Sequence, residues 1–164
     1  MKIGIVGTGN ISLKHLNEFN KIDNVKIEAV CDTNQSNLNK FLLHDKTIRG
    51  YSSLDEMLNK EKNFDGISNT TPDKFHKDIS LKILDKGFNI FCEKPLAENY
   101  IDAKIMVESA QRANKINMVN FTYRESSAYQ KLVDIIKSGD LGVPRHVCAS
   151  YYQSWLTSNK WGNW

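Results

Sequence analysis

The apolar run Ile3-Gly4-Ile5-Val6 passes without a break into Gly7-Thr8-Gly9-Asn10-Ile11-Ser12. A short strand that feeds a glycine-rich turn and then a helix reads as the opening of a βαβ unit, which narrows the fold to a parallel α/β sheet. Gly7 permits the tight turn, and Gly9 leaves the backbone without a Cβ where an anion would approach. The N–H groups at the start of the following helix would face that charge. The spacing is that of a dinucleotide fingerprint, with Ser12 where its third glycine stands; a small residue there still allows close helix-to-strand packing.

Context strengthens the motif. Val25-Lys26-Ile27-Glu28-Ala29-Val30-Cys31 reads as a second strand and ends in Asp32, 20 residues beyond Ser12. An acid at that distance is the partner expected for the hydroxyls of an adenine ribose. Asp32 is followed by uncharged Thr33 and Asn34 rather than by arginine. A carboxylate there opposes a 2′-phosphate, so NAD is expected as cofactor in preference to NADP.

The rest of the chain alternates in the same way. Strands are predicted at 2–6, 25–31, 48–51, 64–69, 88–92 and 116–121, with helices at 10–20, 35–43, from 54, at 73–86, 98–114 and 126–138. This order predicts a Rossmann doubly wound parallel sheet over 1–121. Ser53 and Glu56 have capping-box spacing ahead of Met57 and Leu58. Ser68 and Asn69 break the pattern, because a parallel strand covered on both faces is ordinarily apolar throughout. Residues 143–154 are rich in β-branched and aromatic types and read as the first strand of a second region, 122–164. The chain stops before a second sheet could be assembled, so this region is expected to be the truncated start of a C-terminal α+β domain, or to complete itself against another copy.

Composition excludes several classes. The 22 basic and 19 acidic residues give a net charge of +3 with no basic, aromatic-interleaved run, so no nucleic-acid partner is expected. No apolar run is long enough for a bilayer and no leader pattern follows Met1, so no membrane partner and a cytoplasmic location are expected. Cys31, Cys92 and Cys148 are far apart and outside any Cys-x-x-Cys pair, and are expected to be reduced thiols without a metal. His15, His44 and His146 pair with no candidate ligand and read as packing or surface residues.

Three further segments lie at predicted strand ends: Thr70-Thr71-Pro72 with His76, Glu93-Lys94-Pro95, and Asn120-Phe121-Thr122-Tyr123-Arg124. In this order, with the glycine loop and Asp32, the chain resembles the glucose-fructose oxidoreductase, inositol dehydrogenase and MocA family over essentially its whole length. The resemblance implies an NAD(P)-dependent oxidoreductase acting on a sugar, polyol or nucleotide-sugar, in a homo-oligomer. Its relatives are about twice as long, and their second domain supplies the substrate pocket and further catalytic groups.

The resemblance implies that Gly7, Thr8, Gly9, Asn10 and Ile11 hold the pyrophosphate, with Asp32 and Thr33 at the adenine ribose. It implies that Thr70, Thr71, Pro72 and His76 line the cofactor cleft, and that Glu93, Lys94, Asn120 and Arg124 lie toward the nicotinamide. Lys94 is the catalytic candidate, since hydride loss from an alcohol also requires a partner for the hydroxyl proton. Alone, Lys94 would read as a surface lysine after a strand, and His76 as an ordinary helix residue. Tyr123 and Arg124 read equally as a structural turn. Trp161 resembles a family tryptophan near the cofactor, while Trp155, Trp161 and Trp164 also fit as apolar anchors. The alternatives are a non-catalytic nucleotide-binding sensor or regulator and a truncated pseudo-enzyme.

Overall fold

The computed structural model describes residues 1–152 and 154. Six parallel strands, β1 (Lys2–Val6), β2 (Lys26–Cys31), β3 (Arg49–Tyr51), β4 (Gly66–Asn69), β5 (Ile90–Cys92) and β6 (Asn117–Val119), form one sheet in the order β3-β2-β1-β4-β5-β6. Strand order reverses between β1 and β4, and ligands of such sheets collect outside the carboxyl ends of the strands at that switch point. The helices between them are α1 (Asn10–Phe19), α2 (Gln35–Leu42), α3 (Leu54–Lys60), α4 (His76–Asp85) and α5 (Tyr100–Ala113).

Two apolar cores follow from the strand pleat. On one face Ile3, Ile5, Ile27 and Val30 meet Leu16 of α1 and Leu38 and Phe41 of α2. On the other, Val6, Ala29, Cys31 and Ile67 meet Met57 and Leu58 of α3, Ile83 and Leu84 of α4, and Ala110 of α5. Ile27 and Val30 share a face because the β1–β2 register slips: Ile3 pairs with Ile27 but Gly4 pairs with Ala29, so Glu28 is the extra residue of a bulge.

Local chemistry sets the element ends. Asn34, Ser53 and Asn99 each accept a hydrogen bond from the backbone N–H three residues on, capping α2, α3 and α5. Only half of the Ser53 box forms, since the Glu56 carboxylate pairs with Lys60 at 2.7 Å. The helix predicted at 73–86 opens with a 3-10 turn, Asp73–Phe75, and becomes α-helical at His76. The strand expected at 64–69 is paired only from Gly66.

The chain divides into two compact units, Met1–Asn120 and Phe121–Trp164. The second holds α6 (Ser127–Ser138), capped by Ser126 and ended by Gly139 at φ +81°. Tyr129, Leu132, Val133 and Ile136 form an exposed stripe along it. Tyr123 and Tyr151 meet edge to face with their hydroxyls 2.7 Å apart. The strand predicted at 143–154 is absent among the described residues. A strand exists by its ladder hydrogen bonds, and the described residues give this segment no partner strand. The expectations for Trp155, Trp161 and Trp164 lie outside the described residues.

Candidate functional site

The loop after β1 is held by its neighbours rather than by its own turn. Gly7 sits at φ +89°, and a Cβ there would stand 2.8–2.9 Å from backbone atoms of Thr70 and Thr71. The Gly7 N–H donates to the Cys31 carbonyl at 2.8 Å, and the Thr70 hydroxyl lies 2.7 Å from the Gly7 carbonyl and 3.0 Å from that of Val6. The ends of β1, β2 and β4 are thereby tied together. Ser12, standing for the third glycine, is fully buried and its hydroxyl donates to the Gly9 carbonyl at 2.5 Å.

Gly9 differs from Gly7. It has no positive φ, and a Cβ built on it meets nothing within 4 Å. Gly9 and Asn10 are exposed and Ile11 is half-buried. No side chain caps α1, and no acid lies in its first turn. An anion approaching here finds N–H groups that no cap occupies, and no opposing charge within that turn.

Asp32 faces the same loop. Its Oδ2 accepts from the Thr8 N–H at 2.7 Å and the Thr8 hydroxyl at 2.8 Å, and its Oδ1 accepts from the Asn34 N–H at 2.8 Å. A carboxylate offers about four acceptor positions, so this one is oriented by three donors and retains one position, on Oδ1, for a further hydroxyl donor. Thr33 is exposed beside it. The open Gly9 face, the uncapped helix and the oriented carboxylate fit a dinucleotide.

At the end of β4 the polar residues are accounted for one by one. The Asn69 amide donates to the His76 carbonyl at 3.2 Å and the Ser80 hydroxyl at 3.1 Å, while its oxygen accepts from the Thr71 hydroxyl at 2.7 Å. Thr71 is half-buried and Pro72 exposed, whereas Thr70 is a buried strut. His76 is 1 % exposed, with Nε2 2.7 Å from the Thr71 carbonyl and Nδ1 2.7 Å from that of Pro95. Its ring lies between the loops after β4 and β5, with one nitrogen facing a main-chain carbonyl of each.

Glu93 follows β5 and is 6 % exposed. Its Oε1 receives His15 Nε2 at 2.7 Å and the Asn120 amide at 2.6 Å, and its Oε2 receives the Lys94 N–H at 3.2 Å. Burial alone would raise its pKa; the hydrogen bonds from His15 and Asn120 outweigh that and hold it below the ordinary glutamate range. Lys94 is exposed, and the peptide joining it to Pro95 is cis.

His15 is the residue that the sequence reading missed. It is buried on α1, 2.9 Å from the Ser68 hydroxyl through Nδ1, and packs beside Phe19 and Phe91. The signal was Ser68 itself, a polar residue in a fully covered strand that needs a partner.

The structure therefore brings Gly7, Thr8, Gly9, Asn10, Ile11, Asp32, Thr33, Thr70, Thr71, Pro72, His76, Glu93, Lys94 and Asn120 to the carboxyl ends of the strands of one unit. Arg124 and Tyr123 belong to the second unit, where Arg124 is exposed and its carbonyl accepts from Gln130 at 2.7 Å. Among the described residues no group of acids, histidines and cysteines could hold a metal ion, and no helix is long and apolar enough to cross a membrane.

Known proteins resemble this chain in sequence and fold. Residues 1–121 match the model of the oxidoreductase family with an NAD-binding Rossmann fold, Gfo/Idh/MocA. Inositol 2-dehydrogenase of Salmonella typhimurium is 31% identical over 160 residues, covering 94% of this chain and 46% of the relative. Glucose-6-phosphate 3-dehydrogenase of Bacillus subtilis is 32% identical over 143 residues, covering 86% of this chain and 39% of its own length. The WlbA dehydrogenase of Bordetella pertussis, solved with NADH and UDP-GlcNAcA, superimposes with a TM-score of 0.80 at 28% identity, covering 86% of this chain and 43% of that one. The chain thus spans less than half the length of these relatives. With its glycine loop, strand-end acid and strand order in place, the chain belongs to the Gfo/Idh/MocA family of oxidoreductases, whose NAD-binding Rossmann fold it carries.

Proposed function

We propose that this chain is the coenzyme-binding part of an NAD-dependent dehydrogenase of a sugar, polyol or nucleotide-sugar, and that Lys94 is its catalytic residue. The observation that carries this reading is the convergence of the glycine loop, Asp32, Thr71 and Lys94 on the carboxyl ends of β1, β2, β4 and β5, on both sides of the switch point. Relatives named for inositol and glucose 6-phosphate support the substrate class.

The nicotinamide, when bound, accepts or supplies the hydride. The chain's own residues do the rest. The backbone from Gly7 to Ile11 holds the pyrophosphate against the first turn of α1. Asp32 accepts from the ribose hydroxyls and, by its charge, disfavours a 2′-phosphate; NAD is the expected coenzyme. Thr71 and Pro72 border the cleft. Lys94 hydrogen-bonds the substrate oxygen, takes up or shares its proton as hydride leaves, and polarises the carbonyl in the reverse direction.

Substrate-dependent NADH formation by a full-length version that carries the second domain, screened over inositols, aldoses and sugar phosphates, tests this. Lys94→Ala should lower turnover by about 10²–10⁴-fold while NADH affinity stays unchanged. Full activity in that variant overturns the role of Lys94. Tight NADH binding without turnover on any substrate, even in a full-length version that carries the second domain, favours a nucleotide sensor instead.

A further inference from the structure

Three donors converge on one buried carboxylate, and a fourth residue holds one of them. Glu93, at the end of β5, receives His15 from α1, Asn120 from the end of β6 and its neighbour's N–H from Lys94, while His15 is in turn bonded to Ser68 of β4. Both His15 and Glu93 are 6 % exposed, so water does not satisfy them. A carboxylate only accepts, which fixes the hydrogen on His15 Nε2; the Ser68 hydroxyl can serve Nδ1 as donor or as acceptor. The helix whose first turn opens at Gly9 is therefore bonded directly to the residue before Lys94.

We propose that His15 is a positioning residue: through Glu93 it fixes the peptide that presents Lys94 relative to the glycine-loop helix. The proposal rests on the reading of this site as a nicotinamide-coenzyme site. It assigns His15 no contact with substrate or coenzyme. It also accounts for Ser68 in a strand where an apolar residue would otherwise pack.

The alternative is that His15 merely fills space between Phe19 and Phe91, whose ring centroids lie 6.0 and 5.5 Å from its own. Two substitutions separate these roles, because they invert the order of tolerance. His15→Phe keeps an aromatic ring and loses both hydrogen bonds. His15→Gln loses the ring and keeps an amide donor that can reach Glu93.

The experiment is NMR of the 164-residue chain, following the backbone amide of Lys94 and the side-chain amide of Asn120. Positioning predicts that both signals move in H15F and return to their wild-type places in H15Q. Signals displaced more in H15Q than in H15F overturn it. If H15F fails to fold, H15Q alone decides: unchanged Lys94 and Asn120 signals uphold the proposal, and displaced ones overturn it. A parallel NADH titration of the wild type reports only on the proposed function, so absence of NADH binding would sink that reading without touching the NMR result.

Discussion

A Cβ on Gly7 would stand 2.8 Å from the amide nitrogen of Thr71, so the loop after β1 and the end of β4 occupy a space that only glycine leaves open. Gly9, two residues on, faces no atom within 4 Å. Gly7→Ala should destabilise the chain by about 3 kcal/mol or more, combining a positive φ with a backbone collision. Gly9→Ala should unfold close to the wild-type temperature and still lose NADH affinity. Thermal melts and coenzyme titrations of the two variants check this, and equal stability losses would contradict it.

Asp32 serves Thr8 on the glycine loop, the Asn34 N–H and the expected ribose. Asp32→Asn removes the charge and keeps an acceptor oxygen for Thr8, while the exposed Asn34 N–H can turn to water. The NADH-over-NADPH preference should fall by about tenfold or more, with little change in stability. Parallel titrations with both coenzymes read the ratio directly.

Glu93 should make the fold acid-sensitive. Its pKa is lowered in the folded chain, so its stabilising contribution is fully present above the pKa of the unfolded chain. It is lost as pH falls through the lower, folded value. Glu93→Gln would set an amide NH2 or a single oxygen where three donors now converge, at a cost of about 1–3 kcal/mol at neutral pH. The gap between wild type and variant should narrow as pH drops below the ordinary glutamate range. Denaturant melts from neutral to acid pH would show it; a gap independent of pH would contradict it.

The three thiols should separate by reactivity. Burial, with nearby acids adding to it, pushes the Cys31 thiol up to about 11, and burial pushes Cys92 up to about 12, so both stay protonated at neutral and mildly alkaline pH. Cys148 is exposed. A thiol reagent should label one cysteine rapidly in the native chain and three after denaturation. Rapid native labelling of Cys31 or Cys92 would mean that the strand ends open.

The order of elements was legible in the sequence because strand and helix periods alternate cleanly and the Ser53 cap marks the start of α3. The glycine loop and Asp32 were legible through their spacing together with the apolar strands that precede each of them. Residues 143–154 were not, because β propensity states only that a segment suits a sheet, while the ladder depends on a partner that the described residues do not provide. His15 was missed because its partners, Ser68 and Glu93, are 53 and 78 residues away. Its place on the buried face of α1 with Ser12 and Leu16, beside the unexplained polarity of Ser68, carried the information. The family resemblance implied a place for His76 along the cleft; that its ring lies between two main-chain carbonyls shows only once the two loops are juxtaposed.

A preformed NAD site in this chain is open to calorimetric titration of the wild-type protein with NADH and then NADPH. Saturable binding of NADH and markedly weaker binding of NADPH are expected. No binding of either coenzyme, or a preference for NADPH, would contradict it.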